Sequence, residues 1–183
     1  QTSIAAPFNI RFFIPEDRIM ERSKQDGVPY DAWARQGLIN VTEGNVVHYA
    51  AIENMIIEDY SKYEIREVAH DRWGATQLAQ NLTGEGILMV PMGQGFKSMS
   101  DPMKEVEKLV LEKKLIHFGH PALRWMVDNC VAKTDPSENI KPDKSKSKER
   151  IDGVVALLMS IARAIVNEGN EKSVYEDRGI VTL

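Results

Sequence analysis

The chain has 183 residues, 43% of them hydrophobic, so it is long enough for one ordinary domain with its own core and too apolar for a disordered one. Its formal charge of −4 excludes a chain-wide basic signature for nucleic acid, and its single cysteine, Cys130, excludes an internal disulfide. No cysteine–histidine set has zinc-finger spacing, and the longest apolar run, near residues 153–162, is too short to span a bilayer.

The elements follow in chain order. "FNIRFFI", at 8–14, reads as a strand rich in aromatic and β-branched residues, ended by Pro15. "PEDRIMERSKQD" predicts a short helix with proline at its first position, and "PYDAWARQG" another closed by Gly37. "LINVT" is a strand, and "EGN" turns the chain. Residues 48–62 carry Ile52, Met55, Ile56 and Tyr60 at helical spacing. "EIREVAHD" is a strand that ends in Asp71; residues 76–82 form a helix broken by Gly84 and Gly86 before the strand "ILMVP".

Residues 102–114 give the clearest amphipathic helix, with Met103, Val106, Leu109 and Val110 on one face. "LIHF" is a short strand, 121–129 a helix, and "CVAKTD" and "ENIKPD" a hairpin across "PSEN". A last helix covers 151–166 with Ile151, Val154, Val155, Leu158, Ile161, Ala162 and Ile165 inward. Residues 167–183 are polar and read as a tail. Strands and helices mostly alternate, which predicts an α/β domain with helices on the faces of a partly parallel, mixed sheet.

Two acids stand at element ends. Asp71 closes a strand, where ligands of open α/β sheets gather, although a lone Asp there serves as often as a helix cap. Asp152 lies in the first turn of the last helix, where the macrodipole favours an acid by about 0.3–1 kcal/mol. Two such acids could share a hard cation such as Mg²⁺, which takes one or two carboxylates and fills the rest with water or phosphate. Just ahead of Asp152, residues 141–150 hold five basic and two acidic residues, a local charge of +3. Lys144, Lys146, Lys148 and Arg150 form a comb that would suit phosphate, or is simply a solvated loop. Lys97, on the Gly-flanked "GQGFKS" loop with Gln94, is a further candidate for DNA contact. His70, His117 and His120 are read as structural, and Trp33, Trp73 and Trp125 as packing residues.

The runs "FFIPEDRIMERSKQDGVPYDAWARQGLINVTEGNVVHYAAI", "IREVAHDRWGATQLAQNL", "VPMGQGFKSMSDPMKEVEKLV", "HPALRWMVDNCV" and "NIKPDKSKSKERIDGVVALLMSIARAI" resemble, in order, the C-terminal half of a tailed-bacteriophage large terminase of the HK97-like type. The resemblance runs from about Phe8 to the C-terminus. It implies a ribonuclease H-like nuclease domain over 1–166 whose acidic cluster, on a five-stranded mixed sheet, binds two Mg²⁺ or Mn²⁺ ions and cuts concatemeric double-stranded viral DNA. By motif position Asp71 ("AHDRW") is its second acid and Asp152 ("ERIDG") its last.

The family's first acid lies on a strand ahead of "FFIPEDR". No Asp or Glu precedes Glu16 here, and the GxxxxGK[ST] of the ATPase half is absent, so weak metal binding and poor cutting are expected of these residues alone. The implied partners are DNA, the ATPase domain, the small terminase subunit and the portal protein, with no membrane, in the host bacterial cytoplasm. Two other functions fit the same residues. One is a non-catalytic module docking on portal or procapsid, through the "SVYEDRGIVTL" tail or an exposed face; the other is a resolvase-like nuclease.

Overall fold

A computed structural model describes residues 6–7, 9–147 and 150–168. β1 (Ala6–Pro7) is followed by β2 (Phe13–Pro15), a 3-10 turn (Glu16–Arg18), α1 (Ile19–Asp26), α2 (Tyr30–Arg35) and β3 (Asn40–Thr42). Then come α3 (Tyr49–Lys62), β4 (Val68–Asp71), α4 (Thr76–Gly84), β5 (Met89–Met92) and α5 (Phe96–Leu111). The chain closes with β6 (Leu115–Ile116), α6 (Pro121–Asn129), the hairpin β7 (Ala132–Thr134) and β8 (Ile140–Pro142), and α7 (Asp152–Glu168).

The α/β alternation is as the sequence predicts, and the pairing is mixed. β1–β6, β2–β3 and β4–β5 are parallel and β7–β8 is antiparallel. Each ladder among the described residues has two strands, so the five-stranded sheet implied by the resemblance is not formed among them; strands of two to four residues pair only with one neighbour. The segment 9–12, expected as strand, is irregular. It holds β3 only through the Phe12 carbonyl, which accepts from the Asn40 backbone N–H at 2.7 Å and from Asn40 Nδ2 at 3.1 Å.

α5 begins six residues before the predicted start. Pro102 reads as a first helical position, yet it lies inside the helix, because Gly95 in extended geometry already opens the turn at Phe96. Ser100 is therefore a helix residue. It is buried, and its Oγ accepts from the Ile140 N–H at 3.2 Å, tying the hairpin to α5. At the other end, Lys113 takes a left-handed φ of 57° as the chain leaves the helix.

The core forms around α7. Ile151, Val154, Val155, Leu158 and Met159 bury against Met92, Met99 and Met126. A second cluster of Ile14, Tyr30, Trp33, Ile39 and Ala122 packs α2 and α6, with Phe12 and Trp125 touching both. Leu157 and Ile161 join Leu109 in a third cluster, so α7 is buried on more than the predicted face. Ile165, expected inward, is exposed. The helix continues past Val166 to Glu168, and Asn167 Nδ2 donates to Glu67 at 2.7 Å. The remainder of the predicted tail lies outside the described residues.

Candidate active site

β4 packs against α7. Glu67, just before β4, accepts from Arg163 Nε at 2.6 Å and Arg163 Nη2 at 3.1 Å. Ala69 of β4 packs against the cluster that the first half of α7 forms with Met92, Met99 and Met126. From Glu67 the strand rises about 13 Å to Asp71, and from Arg163 the helix runs back about 16 Å to Asp152. Glu67 and Arg163 thus tie the strand that ends in Asp71 to the helix that begins with Asp152. Their separation in sequence hides this, because it depends on an ion pair between residues 96 apart.

Asp71 is firmly held. It lies opposite Met92 in the parallel register. Its Oδ2 accepts from Gln94 Nε2 at 2.7 Å and its Oδ1 from the Trp73 N–H at 3.1 Å. Gln94 is the functional neighbour that the sequence reading missed as a partner of Asp71; its place in "GQG" directly after a strand was the available signal. The Arg72 guanidinium lies against Gly93, whose Cβ would stand 2.9 Å from Arg72 Nη2, so the loops after β4 and β5 pack on one another. Trp73, expected to pack, is 85% exposed beside Asp71. Its backbone is fixed by Asp71, and its ring is left in solvent.

Asp152 is presented by a fixed backbone and a free side chain. Its carboxylate is 71% exposed, with Lys144 Nζ 3.8 Å from Oδ1. The next residue, Gly153, is pressed against Phe12 and Met126: a Cβ there would meet them at 2.6 and 2.9 Å. Two residues earlier, Arg150 Nε faces Asp26 Oδ2 at 3.3 Å. The Asp26 side chain is 1% exposed and also accepts from the Tyr30 hydroxyl at 2.8 Å. Burial, reinforced by the Asp26 hydrogen bond, pushes the Tyr30 phenol far above its ordinary range.

Arg150, expected to face DNA, is therefore drawn to a buried carboxylate that anchors the entry to α7. Lys97 and Lys146 are exposed, as a phosphate contact requires. Lys148 lies outside the described residues. His120 is structural: its Nε2 lies 2.9 Å from the Leu38 carbonyl and its ring stacks, tilted, on Phe12. His70 Nδ1 contacts the Asp71 carbonyl at 3.1 Å.

Asp71 and Asp152 each offer hard carboxylate oxygens, the donor chemistry that Mg²⁺ or Mn²⁺ takes. No group of three or more metal-capable side chains occurs among the described residues, so these two acids make a partial set. A cavity of about 970 Å³ opens beside Asp152, between segment 9–15 and α7.

Comparison with known proteins agrees with this architecture. The family model "Terminase large subunit, endonuclease domain" matches residues 8–168. The terminase large subunit of Enterobacteria phage HK97 is 37% identical over 155 residues, covering 84% of this chain and 31% of that protein. The crystal structure of the HK97 bacteriophage large terminase superposes with a TM-score of 0.75 at 36% identity, over 82% of this chain and 32% of the other. The large terminase nuclease from thermophilic phage G20c matches with a TM-score of 0.51 over 66% of this chain and 64% of that one. At 15% identity that likeness is one of fold alone. The chain spans about a third of the length of the two HK97 relatives.

Proposed function

The chain belongs to the family of terminase large subunit endonuclease domains, and from that premise we propose that it is the metal-dependent nuclease unit of a viral DNA-packaging motor, cutting concatemeric double-stranded DNA. The observation that supports the reading is the Glu67–Arg163 ion pair, which ties the strand ending in Asp71 to the helix beginning with Asp152.

On this reading Asp71 and Asp152 hold a pair of Mg²⁺ or Mn²⁺ ions. Bound there, the ions would lower the pKa of an attacking water and offset charge on the scissile phosphate. Gln94 and the Trp73 N–H fix the Asp71 carboxylate before any cation arrives, so little reorganisation is required of it. The 3.8 Å contact of Lys144 with Asp152 is loose enough to yield when a cation takes the carboxylate. Lys97 and Lys146 contact the DNA backbone. The ATPase domain, the small terminase subunit and the portal protein are the partners of the assembled motor, which works in the host bacterial cytoplasm. No helix among the described residues is long and apolar enough to cross a membrane.

Titration calorimetry with Mn²⁺ tests the assignment independently of cutting. Asp71→Asn and Asp152→Asn should each abolish measurable Mn²⁺ binding while leaving the melting temperature within a few degrees. Unchanged Mn²⁺ binding in both variants removes these two acids from the site.

A further inference from the structure

Between the loop that holds Asp71 and the start of α7 lies a smaller cavity of about 360 Å³. It is lined by Gln94, Val155, Asp143 and three lysines, Lys133, Lys141 and Lys144. Its place is defined at both ends: Gln94 is the residue hydrogen-bonded to Asp71, and Lys144 is the residue beside Asp152. At roughly 30 Å³ per water it has room for about ten waters, enough for a solvated phosphate and far too little for a duplex.

Its charge is unusual for a folding role. Lys133 and Lys141 are direct cross-strand partners in the β7–β8 ladder. Like charges in that position repel. Neither lysine forms an ion pair among the described residues. The Lys141 ammonium is steadied over the Phe96 ring, 5.2 Å from its centroid. Asp143 gives the cavity one carboxylate, already engaged. Its Oδ1 accepts from the Ser145 N–H at 3.0 Å and the Ser145 hydroxyl at 2.6 Å, which holds its carboxyl below the usual carboxylate range. With Lys144 shared with Asp152, Lys133 and Lys141 face the one carboxylate of Asp143 and leave a surplus of positive charge at a small opening. α5 starts beside it, at Phe96, with no side chain capping its first turn, so the positive end of that helix adds to the field.

We propose that this cavity seats a backbone phosphate of the DNA strand, adjacent to the one cut, with Lys133 and Lys141 as its principal contacts. The hairpin is then a positioning element: gripping a phosphate between the two acids sets the register of the strand across them. This inference rests on the DNA-cleaving reading above and adds to it two residues on a hairpin upstream of the basic comb.

The test is fluorescence anisotropy with a short labelled DNA duplex in EDTA, over a series of salt concentrations. Lys133→Ala/Lys141→Ala should weaken binding about tenfold and lower the salt slope by about two. Lys62→Ala/Lys114→Ala, the same charge change elsewhere, should do much less. Lys133→Arg/Lys141→Arg should retain most of the affinity. Lys133→Ala alone should leave the melting temperature unchanged or slightly raised, since it removes a cross-strand repulsion. Wild-type binding with no difference between the two double variants overturns the seat and leaves the nuclease reading standing. A wild type that binds no duplex at all overturns both.

Discussion

Asp71 ends its strand with both carboxylate oxygens already hydrogen-bonded, and one of the two donors is a side chain from another loop. Outer partners of this kind typically account for about 10–100-fold in metal affinity when removed. Gln94→Leu should therefore weaken Mn²⁺ binding about 10–100-fold without unfolding the domain, measured by calorimetry beside a thermal melt. An unaltered affinity would make the Gln94–Asp71 bond incidental. At this scale the candidate acids were legible, because a carboxylate at the end of a strand and another at the start of a core-packed helix stand out against apolar neighbours. Their supports were not. Gln94 reaches Asp71 across 23 positions and Arg150 reaches Asp26 across 124, and no local pattern encodes either meeting. Trp73 was misread for the same reason: only the tertiary structure distinguishes a buried ring from one in solvent.

At the scale of elements, α7 is the organiser and Glu67 its fastening. The Glu67 side chain is 8% exposed and takes hydrogen bonds from Arg163 and Asn167. The Arg163 hydrogen bond holds its carboxyl below the ordinary glutamate value. A carboxyl depressed on folding contributes stability that is present in full above its unfolded pKa, about 4.3. That contribution fades as pH falls through the lower folded value. Arg163→Ala should cost about 1.5–3 kcal/mol at neutral pH, and the gap between variant and wild type should narrow as acid is added below about pH 4.3. Urea melts over a pH series read both, and a gap constant with pH would deny the ion pair its role. Most elements were legible from periodicity and breakers; α6 came out residue for residue. α5 did not, because proline inside a helix and proline at its start look alike in sequence, and only the contact between Ser100 and Ile140 shows that the earlier turn is needed.

Across the whole molecule, an acidic chain of net charge −4 carries a strongly basic stretch, residues 141–150, just ahead of Asp152. Affinity for DNA should thus come from a few phosphate contacts against a repelling background. Anisotropy titrations should show it falling steeply from low to physiological salt, along a line of log affinity against log salt. Tight binding that ignores salt would point to base contacts instead. The α/β class was legible as an alternation of strand and helix patterns, and the hairpin as two runs around a turn. Which strands lie side by side was not. β1 pairs with β6 although more than a hundred residues separate them, and strands of two to four residues are too short for pattern alone to choose a partner.

The Glu67–Arg163 fastening gives α7 the character of a ruler. One end is fixed to the strand, and the reading at the other end is the position of a carboxylate. Eleven helical steps lie between, and each is worth about 1.5 Å and about 100° of rotation. Side chains along α7 can be exchanged and leave the reading intact. A single residue gained or lost between Asp152 and Arg163 would swing Asp152 by about 100° and turn Val154, Val155, Leu157 and Leu158 out of their clusters with it. On the proposed reading, the geometry of cutting is in this sense written in the length of a helix as much as in the acids it carries.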